Sequence, residues 1–242
     1  PSRAGRTREH DTFNDWAQAK PRDGLVALMH KIGTGPTVGY AEDLAEELRR
    51  EPADLVIASD MLFGVLAGCE ALGQKHVIFS ANTPIFPTPG FIPLGPGLLP
   101  PVTDEDRAMH EAIAAGTLEA LAPALAELNE GRGKLGLGAI EKLTDQYRGA
   151  LAHLMGASRA FDFAPDVMPD GYVYVGPQLG EPAWAKPWTS PFAADDARPL
   201  ALVSFSTTFQ IQAACLQRVI DAIGSLPMRA VVTLGGQFRP EA

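Results

Sequence analysis

Cysteine is nearly absent, with only Cys69 and Cys215 in 242 residues. Both fall inside apolar helical patterns, so they read as small buried hydrophobes rather than a disulfide framework. Positive charge is also short: 20 Lys and Arg against 29 Asp and Glu leave a formal net charge of −9. No basic stripe supplies the phosphate attraction that a nucleic acid or an anionic membrane needs. Arg3, Arg6 and Arg8 make a short basic start that reads as a solvated tail. Apolar runs break well short of the ~18 residues of a membrane span, and no secretory leader is visible, so a cytoplasmic location is expected. None of His10, His30, His76, His110 and His153 has metal-ligand spacing with Cys, His or Glu, so no metal is expected. GxGxxG, GxxxxGK[ST] and GxSxG patterns are missing too, which removes the usual signatures of dinucleotide binding, the P-loop and the α/β hydrolases.

What is present is a soluble globular composition, 46% hydrophobic and 20% charged, long enough to bury a core. Residues 37–50 place Tyr40, Leu44 and Leu48 at fourfold spacing with charges between, an amphipathic helix. Residues 54–59 read as a short buried strand, 61–73 as a helix rich in small residues, and 76–81 as another buried strand. Strand, helix and strand in so few residues predict a βαβ unit of a parallel sheet. A long Pro- and Gly-rich stretch, 82–103, follows. Helical patterns then cover 104–129, with Thr103 as N-cap and Asp106 in the first turn, and 138–153. Short strands are expected at 154–160 and 172–175. Residues 178–198 hold Pro182, Pro187, Pro191 and two Trp with little periodicity, a linker. A strand at 199–204, a helix at 211–224 and a strand at 229–235 begin a second unit.

Three places could carry chemistry. Ser204-Phe205-Ser206-Thr207-Thr208 joins a strand end to a helix start, where hydroxyls and N–H groups suit a diphosphate or simply cap the helix. Thr233-Leu234-Gly235-Gly236 repeats that placement after the next strand. Ser59-Asp60 ends a parallel strand, where ligands bind in open α/β sheets. A carboxylate there could support a histidine base, or N-cap the helix that follows; capping is the simpler role, and the two are compatible. The 82–101 loop could wall a pocket for a hydrophobic molecule or cover the core edge. His153 is expected on a helix face and His76 at a strand start, both in structural roles.

The stretches DLVIASD at 54–60, MLFGVLAGCEALG, SANTPIFPTPGFIPLGPGL, SRAFDF at 158–163, YVYVGPQLGEPAW, LVSFSTTFQ and RAVVTLGG follow one another through most of 35–236. In that order they resemble the UDP-glycosyltransferases of the GT-B fold, in particular macrolide- and sterol-type members. The resemblance implies an α/β chain with a Rossmann-like, parallel-sheet acceptor domain at 1–177, incomplete at its first strands. It further implies a linker at 178–198 and the start of a Rossmann-like donor domain at 199–242, the two domains facing across a cleft. The implied reaction moves a sugar from a UDP-type nucleotide donor to a hydroxyl of a hydrophobic small molecule, with inversion and with neither metal nor cofactor.

By the same resemblance Ser206, Thr207, Thr208, Thr233 and Gly235 bind the donor, while Met61, Asn82, Phe86 and Phe91 bind the acceptor. Asp60, or Ser59 if the register is off by one, matches the aspartate that backs the catalytic histidine. The histidine loop and most of the donor signature are not found in these residues, so this chain alone is expected to be inactive. Truncation also predicts self-association through strand edges at 200–204 and 230–234. Two other classes stay open: a non-catalytic ligand-binding or regulatory module, and another nucleotide-binding α/β enzyme such as an epimerase or oxidoreductase, against which the missing GxGxxG counts.

Overall fold

A computed structural model of the chain describes residues 21–95, 97–180, 187–205 and 212–233. It divides into one compact unit, Leu25–Gly180, and a second made of Pro1–Gly24 with Glu181–Ala242. In the first, four strands, β1 (Val56–Ser59), β2 (His76–Ser80), β3 (His153–Met155) and β4 (Tyr172–Tyr174), form a parallel sheet in chain order. Helix α1 (Pro21–Leu28) runs into a π-helical turn, Met29–Gly33, and helix α2 (Thr37–Arg50) comes before the sheet.

Helix α3 (Phe63–Leu72) is the crossover from β1 to β2. Its small residues let α2 pack backbone to backbone: a Cβ on Gly64 would stand 2.6 Å from Thr37 Cα. The helix stops at Gly73, whose φ of +64° suits glycine and whose N–H reaches the carbonyls of Cys69 and Glu70. The core has two clusters. One gathers Met29, Phe63, Phe86, Leu121, Leu128 and Leu143; the other joins Ala58, Leu66 and Ile78 between sheet and α3. Phe63 stacks on Tyr147 at 5.6 Å and meets Phe86 edge-on at 5.5 Å. On the opposite face Ile57 of edge strand β1 is 66% exposed, whereas its neighbour Val77 on β2 is buried.

Several expectations need correction. The helix expected over 104–129 is two, α4 (Asp104–Ala120) and α5 (Ala122–Lys134), broken at Leu121. Pro123 lies at the start of α5, where its missing N–H and its ring are tolerated; inside one continuous helix they would not be. The start of α4 is as expected, a capping box between Thr103 and Asp106. The helix expected over 138–153 is instead irregular chain followed by a 3-10 helix, Leu143–Gly149. Gly136 takes a positive φ of 78° before it, and sheet pairing claims the chain after it. His153 therefore lies on a strand, not on a helix face. That strand ends at Met155 rather than running to 160, because Gly156 tucks under the Phe79 ring, where a Cβ would stand 2.9 Å away.

Arg132 on α5 is buried, and its guanidinium binds Glu70 of α3 at 2.6 and 3.0 Å and the Gly138 carbonyl at 2.8 Å. Gln146 also bonds Glu70, at 2.8 Å, so one network ties α3, α5 and the 3-10 helix together.

The second unit pairs β5 (Leu200–Ser204) with β6 (Arg229–Thr233) in parallel, connected through helix α6 (Ala213–Gly224). Asp196 binds Arg198 at 2.7 Å, and Arg229 lies over the Phe192 ring at 5.5 Å, securing the approach to β5. Cys69 is buried as expected, and burial pushes its thiol up to about 11. Cys215 is exposed, contrary to expectation: the neighbouring Leu216 points inward, and one helical step turns Cys215 away.

Candidate functional site

The carboxyl ends of β1 and β2 bring the polar groups of the first unit together. The register sets Ser59 opposite Phe79, so Asp60 follows beside Ser80; Ser80 stands opposite Met155, with His153 two residues back on the same face. The Ser80 hydroxyl is 2.6 Å from Asp60 Oδ2 and 2.6 Å from His153 Nε2. Ser59 Oγ lies 3.2 Å from Asp60 Oδ1. Asp60, Ser80 and His153 are 6%, 1% and 5% exposed, so the three form a buried polar row across three strands.

The hydrogens follow from the donors available. One serine proton cannot serve both neighbours, so Ser80 donates to the carboxylate and neutral His153 donates from Nε2 to Ser80. His153 Nδ1 then has no partner. Burial pushes His153 down to about 4, keeping it neutral. Burial also raises the Asp60 carboxyl, with the Ser80 and Ser59 hydrogen bonds opposing the rise. Two tyrosines close round the imidazole: Tyr172 stacks on it at 4.4 Å, and Tyr147 meets it edge-on at 5.3 Å while donating its hydroxyl to the Asp60 carbonyl at 2.8 Å.

The expected N-cap role of Asp60 is not what forms. Helix α3 starts at Phe63 after Leu62, with no side-chain cap, and Met61 and Leu62 intervene. The Asp60 side chain turns back to the sheet, and Ser59 Oγ receives the Met61 N–H at 3.3 Å.

Asp60 lines a cavity of about 450 Å³ with Ser59, Met61, Ala81, Asn82 and Thr83. A second cavity, about 500 Å³, is bordered by Pro87, Phe91, His110, Glu111, Arg148 and Tyr172. Of the residues expected to hold an acceptor, Met61 and Asn82 thus share the first cavity with Asp60. Phe91 borders the second, 5.7 Å from the Tyr172 ring, and Phe86 is buried in the core. No histidine borders the first cavity among the described residues.

His76 opens β2, buried, with Nδ1 3.3 Å from the Gln74 carbonyl; His30 pairs with Glu127; His10 lies outside the described residues. On the second unit, Thr233 Oγ1 donates to Ser204 Oγ at 2.9 Å, which sets two hydroxyls at the carboxyl ends of the parallel pair. Ser206, Thr207, Thr208 and Gly235 lie outside the described residues. Among the described residues no group of three or more His, Cys, Asp or Glu is placed to hold a metal ion, and no helix is long and apolar enough to cross a membrane.

No family model and no curated protein matches this chain by sequence. Solved structures do match. The glycotransferase of kitacinnamycin superposes with a TM-score of 0.62 at 14% identity, over 93% of this chain and 52% of that one. CalG4, the calicheamicin glycosyltransferase, gives 0.57 at 17% identity, over 98% of this chain and 54% of its own. The fold is GT-B.

The chain spans about half the length of these GT-B structures. The likeness is one of fold. Ser80 escaped sequence reading because it ends an apolar strand run with no local motif, and His153 because its local sequence continues a helical pattern. Their signal was one of alternation: Ser80 continues the inward row of Ile78, and His153 that of Met155.

Proposed function

We propose that these residues belong to a glycosyltransferase that moves a sugar from a UDP-type nucleotide donor to a hydroxyl of a hydrophobic small molecule, in the cytoplasm. The observation that carries this reading is a GT-B fold with a carboxylate, Asp60, on the wall of a cavity at the strand ends. The acceptor sits in that cavity, against Met61 and Asn82. Asp60 orients a histidine supplied from outside the cavity lining, and that histidine takes the proton of the acceptor hydroxyl. The acceptor oxygen then forms its bond to the anomeric carbon as the bond to the diphosphate oxygen breaks. The electron pair leaves on UDP, so in-line displacement inverts the centre. The Ser204 and Thr233 hydroxyls, with Ser206, Thr207, Thr208 and Gly235 beyond the strand ends, receive the diphosphate, whose charge suits N–H and O–H donors. No metal or cofactor is required.

The test is to incubate the whole protein with UDP-glucose and a panel of hydroxylated aromatic and macrocyclic compounds, following products by liquid chromatography and mass spectrometry. Acceptor-dependent release of UDP, with a product heavier by one hexosyl residue, supports the reading. Tight binding of acceptors without turnover across nucleotide sugars would favour a non-catalytic binding module instead, as suits a cavity without a histidine in its described lining.

A further inference from the structure

The geometry points to Ser80 and His153 as positioning residues that fix the Asp60 carboxylate for the group it serves in the neighbouring cavity; this rests on the role given to Asp60 above. A carboxylate beside a cavity can rotate about its terminal bond, and each rotation offers a different lone pair to a donor there. Here rotation is blocked from two sides. Oδ2 is held by the Ser80 hydroxyl at 2.6 Å, and Oδ1 by the looser Ser59 contact at 3.2 Å. Ser80 thus makes the shorter of the two serine contacts and sets the plane of the carboxylate.

Ser80 can hold its post only if its own hydroxyl is directed. His153 does that, because an Nε2–H donated to Ser80 Oγ leaves the serine proton to Asp60. The imidazole is in turn fixed by Tyr172 on its face and Tyr147 at its edge. Tyr147 also binds the Asp60 backbone carbonyl, so one side chain braces both ends of the row. A buried histidine with an orphaned Nδ1 is costly, and packing alone would favour an apolar residue at 153. The retained cost is explained by the direction it gives to the serine.

The test is nuclear magnetic resonance on the 242-residue chain, following the 15N shifts of the imidazoles and the 13C carboxyl titration of Asp60, with Ser80→Ala and Ser80→Thr. In the unsubstituted chain His153 should show the Nε2–H tautomer throughout the neutral range. Ser80→Ala should raise the Asp60 midpoint by about one pH unit and mix the His153 tautomers, since a hydrogen bond to the charged form is lost. Ser80→Thr, which keeps the hydroxyl, should restore both. His153→Gln, which keeps an N–H donor, should leave the Asp60 midpoint in place, whereas His153→Leu should raise it, and this pair decides the matter if Ser80→Ala does not fold. Variants that only lower the melting temperature, with the Asp60 midpoint and the tautomer unmoved, overturn the proposal. Neither readout involves sugar transfer, so failure of the transferase reading would show separately.

Discussion

Acid should unfold this protein partly through one imidazole. His153 resists protonation down to about 4 in the fold, against an ordinary value of 6.5. Between those values the unfolded chain binds more protons than the folded one, so stability must fall as pH falls. At pH 7.5 the ring is neutral in both states and contributes almost nothing to the slope. By pH 5 the unfolded ring is almost fully charged and the folded one is not, a difference of about 2 kcal/mol. Asp60 runs the other way: its raised carboxyl favours the fold at low pH and loses that advantage as pH rises through its folded value. To separate the two, urea unfolding is measured at both pH values for the unsubstituted chain and for His153→Gln, which keeps an N–H donor to Ser80. The share of Asp60 is common to both proteins. The unsubstituted chain should lose about 2 kcal/mol more than the variant between the two conditions. Equal losses, within about 0.5 kcal/mol, would refute the burial argument for His153.

Other expectations rest on packing and edges. Arg132→Met should cost about 1–3 kcal/mol in urea unfolding, because it leaves the Gly138 carbonyl and the buried Gln146 amide oxygen without their donor, while exposed Glu70 can turn to water; a cost near zero would mean the network is incidental. Gly64→Ala should cost about 1–3 kcal/mol and lower the melting temperature, since the new methyl meets the Thr37 backbone at 2.6 Å. If the strands at 200–204 and 230–234 offer free edges, as the sequence suggests, the chain should self-associate with rising concentration, and a single monomeric mass by light scattering at high concentration would contradict that.

The parallel unit around β1, α3 and β2 was legible in sequence because its strands are short apolar runs and its helix is crowded with small residues. The capping box at Thr103 was legible for the same local reason: its partners are three residues apart. What was not legible was set by distant pairing. The strand at His153 forms only because β2 and β4 receive it on either side, while its local sequence continues a helical pattern. Asp60 was readable as a carboxylate at a strand end, yet the partner that turns it away from the helix, Ser80, lies 20 residues on, and His153 a further 73. Arg132 could not be told from a surface cation, because its burial depends on Glu70 across another helix. Phe86 and Phe91 looked equivalent in one loop, and packing sent them to different places, a core and a cavity wall.

Sugar transfer should depend on the carboxylate at the end of β1. Its most direct test is a comparison of the whole protein with its Asp60→Asn variant, supplied with UDP-α-glucose and a hydroxylated aromatic acceptor. The rate of product formation and the anomeric proton coupling of the product would both be recorded. The product should be β-linked, and the variant should lose about 10²-fold or more in kcat with acceptor binding largely kept. An α-linked product, or equal rates for the two proteins, would contradict it.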